Sequence, residues 1–232
     1  HGKGEIEIRH MTAKDEDILT SETLIKKGIA VERLLQNVIV DKSIDVASLL
    51  VGDKNALVIA TRVTGYGADY RTNLMCPSCS KSVEGRFDLE IKEIYRAEEK
   101  DIADLGIEMT NNGTFILNTP IMQASVEVRL MTGTDEEYLN KLAESKKKKK
   151  LIESFLTDQL RRMIVSVNGD SSPALITEFV NHMPARDSRY LRSMYQHVVP
   201  DVKLAQEFSC ASCGHTQELE VPFTVDFFWP RQ

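Results

Sequence analysis

All four cysteines of the chain fall into two CxxC pairs far apart in sequence, Cys76-Pro77-Ser78-Cys79 and Cys210-Ala211-Ser212-Cys213. Two such knuckles supply four thiolates, the ligand set of a tetrahedral zinc site with no open coordination position. A closed site of that kind holds structure together and does no chemistry of its own. His215 stands two residues after Cys213 and offers a spare nitrogen, but four sulfurs already fill the site. Disulfides, a redox pair or plain free thiols are the competing readings. A thioredoxin-like CxxC belongs where a strand meets a helix N-terminus, whereas extended segments follow both pairs here. No secretory apolar region is visible, and reduced thiols favour folding in the cytosol.

The flanks must position these sulfurs. Residues Tyr70 to Met75 and Val202 to Phe208 read as extended before each pair. Alternation resumes after them, through Val83, Phe87 and Leu89 in one case and Leu219, Val221 and Phe223 in the other. Strand, knuckle, strand, given twice, predicts a split zinc ribbon. Gly214 suits the tight turn that aims backbone N–H groups at sulfur, and Ser80 holds the equivalent place with a poorer fit.

Residues 1–69 read as an N-terminal helical segment. Thr12 and Asp15 resemble a capping box, and Val31, Leu34, Leu35 and Val38 recur at helical spacing. A further short helix is expected over Val46, Leu49 and Leu50, with Gly52-Asp53 ending it and opening the next. Residues 93–202 form an inserted middle part. Asn111-Asn112-Gly113 between extended runs predicts a hairpin, with a third strand from Ser125 to Met131. A long helical stretch follows, in which Leu151, Ile152, Phe155, Leu156, Leu160, Met163 and Ile164 form one apolar face. Pro173 and Pro184 each start a further helix. No repeat of solenoid length is evident. The fold class expected is α+β: a split four-cysteine zinc ribbon (residues 70–92 and 203–232, with an aromatic tail) joined to helices and a small antiparallel sheet.

Composition narrows the function. The chain has 232 residues and a net charge of −6, a poor balance for gripping a phosphate backbone. No stretch approaches the ~20 apolar residues of a membrane span. Lys146 to Lys150 are five adjacent cations, read as a solvated helix or flexible connector, or as a docking patch for an acidic partner, in preference to a nucleic-acid surface. P-loop, GxGxxG, GxSxG and HExxH patterns are absent, and the five histidines lack metal-ligand spacing. The expectation is no enzyme, no small-molecule substrate and no nucleic acid.

Several segments form an ordered series over nearly the whole chain: Asp15-Glu16-Asp17-Ile18-Leu19, Gly52-Asp53-Lys54, Tyr66-Gly67, Ser166-Val167-Asn168-Gly169, Met183-Pro184-Ala185-Arg186-Asp187-Ser188-Arg189-Tyr190-Leu191-Arg192 and Phe227-Phe228-Trp229-Pro230. The series resembles the T-even-type phage baseplate hub family, small tail proteins involved in assembling the baseplate hub. The resemblance implies a virion protein of the tail baseplate, assembled in the host cytoplasm and acting through contacts with other hub proteins. A transient assembly chaperone and a zinc-ribbon nucleic-acid binder are the alternatives. Arg186, Arg189 and Arg192 recur every three residues; either Arg186-Asp187 and Arg189 fix their helix against the ribbon, or this side of the helix docks a partner. Phe227, Phe228 and Trp229 either pack on the chain's own core or anchor a neighbour.

Overall fold

The computed structural model describes residues 4–90, 94–152, 154–222 and 227–228. In chain order the elements are α1 (Ala13–Thr20), α2 (Glu22–Lys26), α3 (Ala30–Val38), a 3-10 turn (Val46–Ser48), α4 (Val51–Tyr66), β1 (Asp69–Met75), β2 (Ser82–Asp88), β3 (Ile94–Tyr95), α5 (Glu99–Asp104), β4 (Glu108–Met109), β5 (Phe115–Asn118), β6 (Ser125–Val128), α6 (Gly133–Lys148), α7 (Phe155–Met163), β7 (Ile164–Val167), α8 (Pro173–His182), α9 (Ala185–Gln196), β8 (Asp201–Val202), β9 (Ala205–Ser209) and β10 (Thr216–Glu220). They divide into two units. The first is His1–Val46, Asp53–Tyr95 and Asp201–Gln232; the second is Ala47–Gly52 and Arg96–Pro200.

In the first unit, alternation makes the two cysteine hairpins. Tyr70 and Thr72 of β1 and Val83, Gly85 and Phe87 of β2 face inward, and the strands pair antiparallel from Asp69 opposite Asp88 to Met75 opposite Ser82. Gly85 leaves room for its neighbours: a Cβ there would lie 2.8 Å from Leu74 Cδ2 and 2.9 Å from Phe87 Cε2. β9 and β10 form the second hairpin. The Gln206 side chain bridges the hairpins, accepting from the Asp88 N–H at 3.0 Å and donating back to the Asp88 carbonyl. Leu34 and Val38 of α3, Leu19, Ile59, Tyr70, Phe87, Leu89, Leu204 and Val221 share one core, so the N-terminal helices and the hairpins fold around the same apolar centre. The short β3–β8 pair brackets the point where the chain leaves this unit and returns.

The second unit is a four-stranded antiparallel sheet in the order β4-β5-β6-β7, covered by helices through Phe115, Leu117, Val126, Leu160, Met163, Phe179 and Leu191. Asp187, fully buried at the start of α9, accepts the backbone N–H groups of Ile121 (2.8 Å) and Met122 (2.9 Å). That carboxylate fixes α9 to the turn between β5 and β6.

One latch is built twice. Residues 8–19 and 128–139 align without a gap, sharing Arg, Met, Thr, Asp, Glu and Leu at six positions. In the first, Arg9 grips Asp15 with both terminal nitrogens (2.7 and 2.9 Å), and Thr12 caps α1 with Asp15 returning to the Thr12 N–H. In the second, Arg129 grips Asp135 (2.7 and 2.8 Å), and Thr132 caps α6 in the same way. Both carboxylates take a third side chain from a later helix, Asn37 of α3 at 2.6 Å and Arg162 of α7 at 2.6 Å. The bridge of Ile8 with Ile39 matches the pairing of Val128 with Ile164, and both Arg backbone N–H groups donate at 2.9 Å, to Val38 and to Met163. The repeat of about 120 residues escapes a search for solenoid periods because only the latch keeps its sequence.

Several sequence expectations change. The single long helix after residue 134 is broken: α6 stops at Lys148, Lys150 turns with φ +54°, and α7 begins at Phe155. Leu160, Met163 and Ile164 are buried, but Leu151, Ile152, Phe155 and Leu156 are exposed, so they do not form one inward face. Ile164 opens strand β7, whose run of β-branched residues continued the helical spacing in sequence. Gly52-Asp53 lies inside the first turn of α4 and does not separate two helices.

Candidate metal centre

Cys76 and Cys79 sit on the turn joining β1 to β2, and Cys210 and Cys213 on the turn joining β9 to β10. The two turns have one design. The N–H of Ser80 donates to the Cys76 carbonyl at 2.8 Å, and that of Gly214 to the Cys210 carbonyl at 2.9 Å. Each hairpin then closes on its first cysteine, whose N–H donates to Lys81 (3.0 Å) or His215 (2.9 Å). Ser80 and Gly214 both take left-handed backbone, φ +56° and +71°. The serine therefore performs the glycine's turn, at a steric cost the glycine avoids.

The turns bring all four Sγ atoms within 4.8 Å of one another. Across the hairpins Cys76 Sγ lies 3.7 Å from Cys213 Sγ and Cys79 Sγ lies 3.8 Å from Cys210 Sγ. All four are free thiols. A regular tetrahedron with metal–sulfur bonds of ~2.3 Å, the length for zinc and thiolate, has edges of about 3.8 Å. The spacing thus fits a tetrahedral ion, and these four cysteines could hold one. Val83 and Phe208 pack behind Cys76 and Cys210, which are buried, while Cys79 is half-buried and Cys213 exposed.

The electrostatics fit a cation. Backbone N–H groups of Cys79 and Ser78 aim at the Cys76 sulfur and pull its thiol down to about 6 against opposing burial. At Cys213 the N–H of His215 favours the thiolate, yet partial desolvation of the sulfur and the neighbouring sulfurs outweigh it and push the thiol up to about 11. Like charges this close resist full ionisation, and a bound cation removes that resistance. His215 turns instead to Gln217, 3.3 Å from its side-chain oxygen.

The other sequence-predicted residues lie elsewhere. Arg186 and Arg189 are exposed on α9, and Arg192, half-buried, donates to the Ser188 carbonyl at 3.3 Å. The anchoring contact on this helix is made by Asp187 within the second unit. Phe227 and Phe228 are buried in the first unit's core, their rings edge to face at 5.0 Å, and Phe227 meets Tyr70 at 5.4 Å. Trp229, like Phe223 and Glu153, is outside the described residues. Sequence reasoning missed Arg62. It is 1% exposed and donates to the carbonyls of Phe227 (2.6 Å), Gly67 (2.7 Å) and Asp69 (3.3 Å), tying the chain's C-terminal part to α4. A lone charge in the stretch Ala56 to Tyr66, where no other residue is ionised at neutral pH, is the signal that was available.

Comparison with curated proteins and with solved structures returns no match. A family model does match, described as T4 bacteriophage base plate protein, over residues 1–229. That bears out the resemblance drawn from the ordered segments at the level of the family. The match spans all but the last three residues, and the chain belongs to the T4 bacteriophage base plate protein family.

Proposed function

We propose that the chain is a structural or assembly protein of the baseplate hub, working by protein–protein contacts and not by catalysis. In this reading Cys76, Cys79, Cys210 and Cys213 hold Zn2+ in a split zinc ribbon. The observation that carries the zinc assignment is the sulfur spacing, 3.7 and 3.8 Å between knuckles of one design. With four thiolates the ion has no open position for water or substrate, so its contribution is fold and not reaction. It joins residues 131 positions apart, Cys79 and Cys210. By analogy with a disulfide, closing a loop of that size stabilises by about 5 kcal/mol, and structural zinc in small domains is worth on the order of 10 kcal/mol.

Metal analysis of protein purified without chelator tests the ion: one zinc per chain is expected, and clearly less, with four titratable thiols, sinks the assignment. The role in assembly is tested by quantitative mass spectrometry of purified particles and of assembly intermediates. A fixed copy number in finished particles makes the chain a baseplate component. Presence in intermediates alone makes it an assembly factor that departs. Absence from both refutes the hub reading.

A further inference from the structure

The corner where α6 turns into α7 carries two features that the fold does not use. Lys147, Lys148, Lys149 and Lys150 are exposed, and none is in an ion pair with any described residue. Lys146 differs, being held by Asp158 and Ser154. Directly after these cations come large apolar side chains in water: Leu151 at 56%, Ile152 at 89%, Phe155 at 52% and Leu156 at 49% exposure. The negative end of the α6 dipole accounts for a cation or two in its last turn, worth about 0.3–1 kcal/mol each. It does not account for four apolar side chains beside them. An exposed apolar cluster of this kind marks an interaction site.

The cluster has a hollow. Phe155 stands at the edge of a cavity of ≈ 210 Å³ in the second unit, walled mainly by Leu130, Met131, Leu139, Tyr195 and Val199, with Glu136, Asn140 and Gln159 as its polar lining among the described residues. An apolar cavity of about 150 Å³ accepts a benzene ring, so this one is large enough for an aromatic or leucine anchor. The Tyr195 hydroxyl is already occupied, accepting the Met131 N–H at 2.9 Å and donating to the Arg129 carbonyl at 3.4 Å.

We infer that this corner is the docking site for an acidic, apolar-faced segment of another baseplate protein, with one large side chain entering the Phe155 cavity and carboxylates facing Lys147–Lys150. This rests on the hub reading and names the kind of partner that reading requires. Charge complementarity selects an acidic occupant, and the hollow selects a segment with a protruding anchor over a flat bilayer or a phosphate backbone. A second copy would have to present an acidic apolar face to the same lysines.

The surface is tested on the purified full chain by fluorescence anisotropy. The probe is a synthetic amphipathic helix of about 18 residues, Leu and Phe on one face and Glu on the other, with a Lys-for-Glu twin as control. The acidic peptide is expected to bind, the twin to bind at least about tenfold more weakly, and salt to narrow the gap. Replacing Lys147–Lys150 by Gln, or Phe155→Ser, each on an exposed site that leaves folding intact, should weaken the acidic peptide about tenfold. Equal binding of the twins, or indifference to both variants, overturns the proposal. So does lysine-dependent binding to phosphatidylserine vesicles or duplex DNA that exceeds binding to the peptide, or concentration-dependent self-association lost in the Phe155→Ser variant.

Carbodiimide cross-linking of assembly intermediates separates this inference from the hub reading. Links from Lys147–Lys150 to carboxylates of a different baseplate protein support it. The chain present, but cross-linked only through other residues, overturns this inference and leaves the hub reading standing.

Discussion

Arg9→Met and Arg129→Met remove the same guanidinium from the same latch but should not cost the same. Asp15 is fully buried, and Arg9 is its only cation among the described residues. Without Arg9 the carboxylate keeps the Thr12 N–H and hydroxyl and the Asn37 amide, all neutral donors. Removing one partner of a buried pair costs about 3–5 kcal/mol, and the exposure of Arg9 places this one near the lower end, about 3 kcal/mol. Asp135 differs because Arg162 Nε remains at 2.6 Å and keeps the charge balanced. Losing Arg129 then removes charge-assisted hydrogen bonds without stranding the carboxylate, about 2 kcal/mol. Met preserves much of the aliphatic stem, so lost packing contributes little. Because two units need not unfold together, the assay is native-state hydrogen exchange read by mass spectrometry within each unit. Exchange in α1 and α3 should rise about a hundredfold in Arg9→Met, and exchange in α6 and α7 about tenfold to thirtyfold in Arg129→Met. Equal effects, or a larger effect of Arg129→Met, would refute the claim that Arg162 is the second charge partner. Acid gives a further check. The Arg9 hydrogen bonds hold Asp15 well below its ordinary 3.8. The latch therefore stabilises fully above that value and loses its contribution as pH falls through the lower folded one, so the gap between wild type and Arg9→Met closes in acid.

Other substitutions follow from single contacts. Ser80→Gly should raise the thermal midpoint, with a net gain of about 0.5 kcal/mol after the extra chain entropy of glycine, while Gly214→Ala should lose about 1 kcal/mol through its backbone alone, since nothing crowds that Cβ. Asp187→Asn leaves one oxygen for two backbone N–H groups, so it should cost about 2 kcal/mol and expose the Ile121 and Met122 amides to exchange in NMR spectra. Arg62→Met leaves buried carbonyls without a donor, at about 3 kcal/mol, and chymotrypsin should then cleave at Phe227 and Phe228 sooner than in wild type.

The parts legible in sequence were those with local signatures. Cysteine spacing identified the sulfur cluster, period-two alternation gave both hairpins, and Asn112-Gly113 gave the turn between β4 and β5. Hidden were features decided by distant partners. Arg9 and Asp15 look like exposed charges until Asn37 arrives from α3, and Arg62 becomes a buried clamp through a carbonyl 165 positions away. The break between α6 and α7 was hidden by apolar residues that kept helical spacing across it. Burial assigned inward positions to Leu160 and Met163 and left Ile152 outside. A helical pattern reports which residues would share a face, and only tertiary packing decides whether that face is covered.

The twice-built latch also locates what an ion held by the four cysteines would be needed for. Both units hold a capped helix, an Arg–Asp grip and a short strand contact without any cysteine, so the shared frame does not depend on an ion. The hairpins are different. Around the knuckles the buried residues are Cys76, Val83, Phe208 and Cys210, and β10 alternates only between exposed and half-buried positions. A two-stranded hairpin with so little core is marginal in water. The bases of the hairpins, by contrast, reach the main core through Tyr70, Phe87, Leu204 and Val221. Chelation, or Cys76→Ser, should therefore melt the knuckles and the β9–β10 pair while α1, α3 and α4 stay folded. Hydrogen exchange before and after chelator reads this directly, with protection lost at residues 75–83 and 205–220 and kept at residues 30–38 and 53–66. Loss of protection across α3 and α4 would make the ion a condition for the whole first unit, and unchanged protection at the knuckles would mean that hydrogen bonds such as Ser80 to Cys76 suffice without it.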